Sequence, residues 1–491
     1  MSSLDDIRNI RLEKLKKLKR AGINPYPIFT KQDRTLKEAE KNFSKLSKSK
    51  KPIYLVGRVT SLRPQGGLIF FHIFDGTGKF QGLLKKAEKI SREEFELFHE
   101  TIDIGDFIEV RGNLFVTKRK EKTLLVHSWR ILAKSLRPLP EKWHGLQDVE
   151  ERFRRRYLDT LMSEEVRERF LLRAKLVTEI RKVLDTAGYV EVETPALQPL
   201  YGGASAEPFI THHRALDIDL YLRISDELYL KRLLVGGFPK IYEIARDFRN
   251  EGIDHTHNPE FTMLEFYESF SDAKKQMAFV EKMMKAVVKK LLGKTEITHK
   301  GSVIDFGKKF TVVAFYDLLR QWAHITEPES MSRDEAALRA KQFGIDVEPE
   351  DSLVKILDGI YKKTCRPKLI QPTFVIDYPV DYLPLTKRKE DNEKLVDAFQ
   401  LFAGGIELAK AFSELNDPLD QRERFKKQEE VKERGDRETQ PLDEDFIEAM
   451  EYGMPPAGGV GIGIDRLTML LTDSDNIKEV ILFPTLRPKK E

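Results

Sequence analysis

Apolar positions first recur at helical spacing over residues 4–21, LDDIRNIRLEKLKKLKRA, where Leu4, Ile7, Leu15 and Leu18 lie near one stripe. Acids come early, bases late, and Gly22 supplies a stop, so the pattern predicts a basic amphipathic helix. From Ile53 to Leu132 the period shortens to β runs divided by glycine: IYLVGRV, LIFFHIFD, FQGLL, FIEVRGNLFV and TLLVHSWRIL. One helical stretch, SREEFELFHE, falls between the third and the fourth. RPLPEKWHG, with two prolines, reads as a linker. Beyond it, Val166, Phe170, Leu171, Ala174, Val177, Ile180 and Leu184 mark one face of a helix at roughly 163–187, ended by Gly188. YVEVETPAL then alternates as a strand until Pro195. KIYEIARDF and TMLEFYESF read as a strand pair joined by the polar loop RNEGIDHTHNPE, and helix resumes at about 272–292. The charged, mostly helical stretch 320–365 reads as an insertion before IQPTFVIDYP restarts β structure; GGVGIGI and DRLTMLL close the chain as strand and helix.

Five short strands with one helix between them suit a five-stranded OB β-barrel, a fold that takes single-stranded oligonucleotides. The remainder suits an antiparallel sheet flanked by helices, so the fold class is α+β, with one domain at 1–145 and a second at 146–491. At 491 residues with 40% hydrophobic and 33% charged, the chain is globular in composition, which excludes collagen-like and disordered readings. No run approaches the roughly 18 apolar residues of a bilayer span, and the N-terminus is charged, so the expectation is a soluble cytoplasmic protein without a membrane partner. Its single cysteine, Cys365, allows no intrachain disulfide. The net charge of +4 hides a division: residues 1–145 carry +14 and the rest −10. A basic module beside an acidic body points to nucleic acid, or to a solvated lysine face.

Phosphate loops of the GxxxxGK[ST] type, a complete GxGxxG, HExxH and GxSxG are all absent. His212 with His213, and His255 with His257, read as polar loop residues, because neither pair has a cysteine nearby. A stronger constellation joins Arg249 and Glu251, closing one strand, to Glu265 and Tyr267 on the next. Period 2 puts Glu265 and Tyr267 on one sheet face, opposite Leu264 and Phe266. IELAKAFSELND sets Glu407 and Glu414 one helical heptad or several strand residues apart. Arg466 opens the final helix after spaced glycines, which suits a phosphate site.

GYVEVETP, FRNEGIDHTHNPEF and GIGIDR resemble motifs 1, 2 and 3 of the class II aminoacyl-tRNA synthetases, in order and spacing. In detail the chain is similar nearly end to end to the bacterial type of lysyl-tRNA synthetase family. HGLQDVEERFRRRYLD, GGASAEPFITHH, ELYLKRLLVGGF, NPEFTMLEFY, FSELNDPLDQ, EYGMPPAGGVGIGIDR and ILFPTLRP carry that likeness. The resemblance implies the class II sheet, ATP-dependent activation of L-lysine and transfer to lysine tRNA, with Mg²⁺ as cofactor and, from motif 1, a homodimer. It assigns Arg249 and Arg466 to catalysis and, with Glu251, His257, Asn258, Phe261 and Glu407, to ATP. It assigns Gly203, Glu227, Arg249, Glu265, Tyr267, Lys410, Phe412 and Glu414 to lysine, and Arg63, Phe70 and Gln81 to the anticodon. Two carboxylates and a phenol suit an ammonium, where aspartate or asparagine would need a basic or amide group.

The chain departs from the family pattern at five positions. Gln400 stands for a glutamate at the metal site, leaving Glu407 alone of that pair. Ile406 replaces an arginine, Lys410 an asparagine, Glu207 a basic residue, and Thr123 a glutamate beside the anticodon. For Glu207 and Lys410, opposite in charge change, one account is a new ion pair and the other, favoured for two long surface-capable side chains, is that both point to solvent and never meet. The competing readings are an enzyme of the same fold with another acceptor, such as elongation factor P, and a catalytically silent tRNA-binding or regulatory paralogue. The OB domain argues against the first and the retained phosphate arginines against the second.

Overall fold

The computed structural model describes residues 3–140, 146, 148–349, 351–433 and 440–489, so residues 141–145 of the expected linker lie outside the described residues. The chain divides into two units, Met1–Leu146 and Gln147–Glu491.

In the first unit, helix α1 (Leu4–Arg20) starts from a capping box on Ser3 and Asp6. It docks on its own unit: Leu18 is buried, and the Arg11 guanidinium donates to the carbonyls of Ile104, Ser135 and Arg137. Short helices α2 (Leu36–Lys41) and α3 (Phe43–Ser49) precede β1 (Ile53–Gln65), β2 (Leu68–Phe74) and β3 (Lys79–Lys85). Then come α4 (Arg92–Thr101), β4 (Phe107–Val116) and β5 (Lys122–Ala133). The strands close a barrel in the order β1-β2-β3-β5-β4. Period 2 along β2 sends Ile69, Phe71 and Ile73 inward and Phe70 and His72 outward. Gly82 is needed because a Cβ there would lie 2.1 Å from the Phe71 ring.

The second unit begins with α5 (Val149–Arg154), α6 (Arg156–Met162) and α7 (Glu164–Thr186), then β6 (Val190–Glu191). A three-stranded sheet of β7 (Leu197–Gln198), β8 (Ile210–His213) and β9 (Ile218–Leu222) precedes α8 (Glu227–Val235). Next are β10 (Lys240–Phe248), β11 (Glu260–Ser269), α9 (Ala273–Leu292) and the hairpin β12 (Glu296–His299) with β13 (Ser302–Asp305). β14 (Thr311–Ala314), α10 (Phe315–Ala323), α11 (Arg333–Gln342), α12 (Leu353–Thr364), β15 (Thr373–Ile376), β16 (Ala398–Ala403) and β17 (Ile406–Ser413) follow. The chain ends with α13 (Pro418–Glu433), α14 (Glu444–Glu451), β18 (Ala457–Gly463) and α15 (Ile464–Leu471).

The main sheet has eight strands in the order β14-β15-β16-β17-β18-β11-β10-β6. Its central pairs are antiparallel, as expected, but both edge pairs, β14–β15 and β10–β6, are parallel. One face packs Leu264, Phe266, Val460 and Ile462 against Ile180 of α7, Val280 and Met284 of α9, and Leu467 of α15. Two features correct the sequence reading. YVEVETPAL pairs in the main sheet only at Val190 and Glu191, because Thr194 gives its N–H and hydroxyl to the Glu243 carboxylate, at 3.0 and 2.7 Å. The expected insertion is three helices, α10 to α12, whose Phe315, Leu319, Ile356 and Ile360 form a separate core cluster.

Candidate active site

The register of the central strands builds the site. Glu265 on β11 pairs with Gly461 on β18, Gly461 with Lys410 on β17, and Lys410 with Gln400 on β16. One row along, Tyr267 pairs with Gly459 and Gly459 with Phe412. Paired residues of antiparallel strands share a face, so these side chains stand opposite Leu264 and Phe266. A Cβ on Gly459 would lie 2.1 Å from Glu414 Oε1 and 2.3 Å from Tyr267 Cε1, whereas on Gly461 it would meet nothing nearer than 3.9 Å. Gly459 thus lets a wall of Glu414 and Tyr267 close, and Gly461 leaves the floor open. The resulting cavity, of about 290 Å³, brings together every residue that the sequence reading assigned to ATP or to lysine. Gln400 does not line it: the Tyr378 hydroxyl donates to its Oε1 (2.9 Å) and holds it behind the wall.

Glu407 reaches the cavity through a β-bulge. Leu401 pairs with Ala409 but Phe402 pairs with Glu407, so Leu408 is an extra residue that changes the facing of the strand. IELAKAFS is therefore strand, not helix. Arg249 and Glu251 lie beyond the end of β10, which stops at Phe248, and are not part of the strand.

One end of the cavity is acidic. Glu265 accepts from the Ser225 hydroxyl at 3.0 Å and from the Tyr267 hydroxyl at 2.9 Å. The fully buried Lys231 ammonium sits 2.5 Å from Glu227 and 2.5 Å from Glu414. Asp226 and Asp247 lie behind Glu265, the three carboxylates each bringing an oxygen within 4.8 Å of the others, and both Asp226 oxygens lack a hydrogen-bond partner. Burial pushes Glu265 up to about 8, and the charges of Glu227 and Asp247 add to the shift. Burial also takes Glu414 to about 8, against the pull of Lys231, and holds Asp226 well above the carboxylate range. Burial opposes the Lys231 charge, but Glu227 and Glu414 outweigh it and raise its pKa. Gly203 takes a left-handed φ of +83°, and a Cβ on it would crowd Ser225 Oγ at 2.9 Å and Glu227 Cβ at 3.1 Å.

The other end is basic. The Arg249 guanidinium lies 5.0 Å from the Phe261 ring centre, and Arg466 meets His257 Nε2 at 3.1 Å. Lys410 Nζ lies 5.4 Å from the Phe412 ring centre. Among the described residues none of these three cations has a carboxylate within 4.0 Å. Burial works against the Glu407 charge, yet Arg466, Arg366, Lys410 and Lys362 together hold its pKa below the ordinary value. Asn258 gives its Nδ2 to Glu260 O (2.7 Å) and leaves a buried Oδ1 without a partner beside Phe261. Glu207 and Lys410 do not form an ion pair, as the favoured account has it, although Lys410 faces the cavity; the carboxylates that act on it are those of Glu407, Glu227 and Asp358. The reason is placement: Glu207 belongs to the segment whose carbonyl accepts from Asn250 N–H, and it does not line the cavity.

Sequence reasoning missed Lys231, Asp226, Asp247 and Ser225. The signal for Lys231 was present: ELYLK puts Glu227 and Lys231 four apart on α8, on one helix face. Of the histidines considered for metal, His212 and His213 are not loop residues but lie on strand β8, His212 bonding Asp217 and Asp219, while His257 lies between β10 and β11 and bonds Asp254.

In the first unit, Arg63 pairs with Phe70 across β1 and β2, and His72, Gln81 and Thr123 form the neighbouring row. Gln81 is buried with its amide engaged at both ends: its nitrogen donates to Glu121 (2.9 Å) and its oxygen accepts from Thr123 (2.7 Å). Glu121, two residues before Thr123, thus brings a carboxylate to the place where position 123 lacks one.

The family model described as tRNA synthetases class II (D, K and N) matches residues 148–487, and that of the OB-fold nucleic acid binding domain matches 53–132. The chain belongs to the class II tRNA synthetases. Its relatives include a lysine–tRNA ligase of Carboxydothermus hydrogenoformans, 48% identical over 99% of each chain. Others are the lysine–tRNA ligases of Pelotomaculum thermopropionicum (48%, 99% of this chain and 96% of the relative) and Chloroflexus aurantiacus (46%, 99% of each).

Proposed function

We propose that this chain is an ATP-dependent lysine–tRNA ligase, and the observation that carries the reading is the division of one cavity into an acidic and a basic end. The ε-ammonium of lysine goes to Glu265, Tyr267 and Glu414, because a buried ammonium needs anionic and hydrogen-bonding partners. Glu227 and Gly203 stand at the α-amine. Arg249 holds the lysine carboxylate and the α-phosphate together, so that a carboxylate oxygen attacks the α-phosphorus and pyrophosphate leaves. Arg249, Lys410 and Arg466 stabilise the charge that grows on the phosphoryl oxygens. Adenine rests on Phe261, with the free Asn258 Oδ1 as acceptor for its amino group. Magnesium accompanies ATP, with Glu407 as the nearest carboxylate of the floor.

The lysyl group then passes to the terminal ribose of lysine tRNA, whose anticodon the barrel reads through Phe70 and Arg63, with Gln81 orienting Glu121. A homodimer through the motif 1 region is part of the reading; exposed Leu171 on α7 and Val190 on edge strand β6 support it. The place of action is the cytoplasm, and no helix among the described residues is long and apolar enough to cross a membrane. The test is exchange of labelled pyrophosphate into ATP, expected with lysine and absent with aspartate or asparagine. Exchange driven by either of those instead would overturn the reading.

Stacking of a base on an aromatic side chain contributes roughly 1 to 3 kcal/mol. Phe70→Ala is therefore expected to lower lysine tRNA charging about tenfold or more while lysine-dependent exchange without tRNA stays at the native rate. Equal charging by both proteins would remove Phe70 from the anticodon interface.

A further inference from the structure

The phosphate end is poorer in metal ligands and richer in fixed positive charge than a pair of protein-held divalent ions requires. Mg²⁺ demands about six oxygen ligands in octahedral geometry and prefers charged ones. On the sheet floor at this end Glu407 is the single carboxylate; Glu251 lines the cavity from the loop beyond β10, Asp465 is engaged by Arg173 and the Thr262 N–H, and among the described residues no group of three potential ligands includes Glu407. Gln400, directly across the strand pair from Lys410, is neutral, and its amide oxygen already accepts from Tyr378. An ion at Glu407 would also meet the field of Arg466, Arg366, Lys410 and Lys362. The residues present do not fit a second, protein-held magnesium ion.

Lys410 has the complementary defect. Its ammonium lines the cavity, partly buried, and among the described residues it has no hydrogen bond and no carboxylate within 4.0 Å, resting against the Phe412 ring. Burial lowers its pKa, against the attraction of Glu407 and Glu227. A desolvated ammonium without a counter-ion is costly, and an arriving anion removes that cost. The two defects meet at one cross-strand pair and answer each other.

We propose that Lys410 is a resident cation of the triphosphate site, supplying the positive charge that a second divalent ion would otherwise bring, so that the reaction needs only the ion that ATP carries. This rests on the reading that ATP phosphates occupy the basic end of the cavity. Lys410 is then a catalytic residue in the strict sense, touching a phosphate oxygen. Its charge travels with the protein, so free magnesium in excess of ATP has no site to fill.

Mn²⁺ serves as the probe, counted by electron paramagnetic resonance on the full-length protein with lysine and adenosine 5′-(α,β-methylene)triphosphate. The native protein is expected to hold one Mn²⁺ per bound nucleotide, and the double variant Gln400→Glu with Lys410→Asn more than one. In lysine-dependent exchange at saturating Mg-ATP, the native rate is expected to be flat in free Mg²⁺. Lys410→Asn alone should fall at least tenfold, Lys410→Arg should recover most of the loss, and the double variant should become dependent on free Mg²⁺. More than one Mn²⁺ per nucleotide in the native protein, or an unchanged rate in Lys410→Asn, would overturn the proposal. Absence of lysine-dependent exchange with one Mn²⁺ per nucleotide would instead sink the assigned activity and leave the proposal standing.

Discussion

Lys231→Met is expected to lower stability by about 3 kcal/mol in urea unfolding at pH 7.5 and to raise the Michaelis constant for lysine, because removing one partner of a buried ionic cluster leaves uncompensated charge. Methionine matches the length of the lysine stem but abandons Glu227 and Glu414, each 2.5 Å from the ammonium. At pH 5.5 the loss should shrink, since Glu414, which burial holds at about 8, is then protonated and needs the ammonium less. Stability unaltered at pH 7.5 would mean that Lys231 compensates no buried charge there. Lys231 has a second consequence for substrate choice. By occupying Glu227 and Glu414 from below, it leaves Glu265 as the carboxylate least committed to a resident cation.

Glu265→Gln is accordingly expected to weaken lysine use by about 2 kcal/mol or more, roughly 30-fold, while ATP affinity stays nearly native. Glu414→Gln should act in the same direction. Calorimetry showing an equal loss of ATP affinity would mean that the acidic end is not the lysine pocket. The same carboxylate gives the pocket a pH dependence whose sign follows from its shift. In the empty site burial holds Glu265 at about 8, so near pH 7 it is largely protonated. The lysine ammonium favours the charged form, so binding must expel a proton, and affinity should climb as pH rises from 6 to 8. Calorimetry in buffers of different ionisation enthalpy should register about one proton released per lysine at pH 7. No release, or affinity falling over that range, would contradict the assignment. For folding the sign is opposite: a carboxyl with a raised native pKa contributes stability that is lost as pH rises through about 8.

The barrel and the pair β10–β11 were legible because alternation there is regular and glycine marks the ends. Glu265 and Tyr267 could be put on one face from spacing alone, since nothing interrupts the period of β11. The other wall resisted for a local reason. Glu407 and Glu414 are seven apart, which suits a helix as well as a strand, and the bulge at Leu408 breaks the alternation that would have decided it. Gly404-Gly405 between two apolar runs was the available sign of a hairpin. Lys231 on α8, Asp226 just ahead of it and Asp247 on β10 stayed hidden because charged residues read by default as solvent-facing, and only tertiary burial gathers them at the acidic end of the cavity. Glu207 and Lys410 could not be decided from the sequence for the converse reason. Opposite charge changes in two segments imply nothing about distance, and here a third group, Glu407, acts on Lys410 in place of the supposed partner.

The bulge at Leu408 also governs which changes in chain length this segment tolerates. The β16–β17 connection is a two-residue turn, Gly404-Gly405, with φ of +60° and +73°, so the register at Ala403 and Ile406 is fixed before the bulge begins. From there the chain is read in two frames: Glu407 is presented ahead of the extra residue, and Lys410, Phe412 and Glu414 behind it. Deleting Leu408 would leave every existing pair in place and keep Glu407 and Lys410 on the cavity face, removing only the bend and extra twist that the bulge puts between them. A one-residue slip of the register set by the turn, by contrast, would carry Glu407, Lys410 and Phe412 together to the apolar face. What the segment cannot change is therefore the register that the turn sets, whereas the bulge residue itself governs how the strand bends between Glu407 and Lys410.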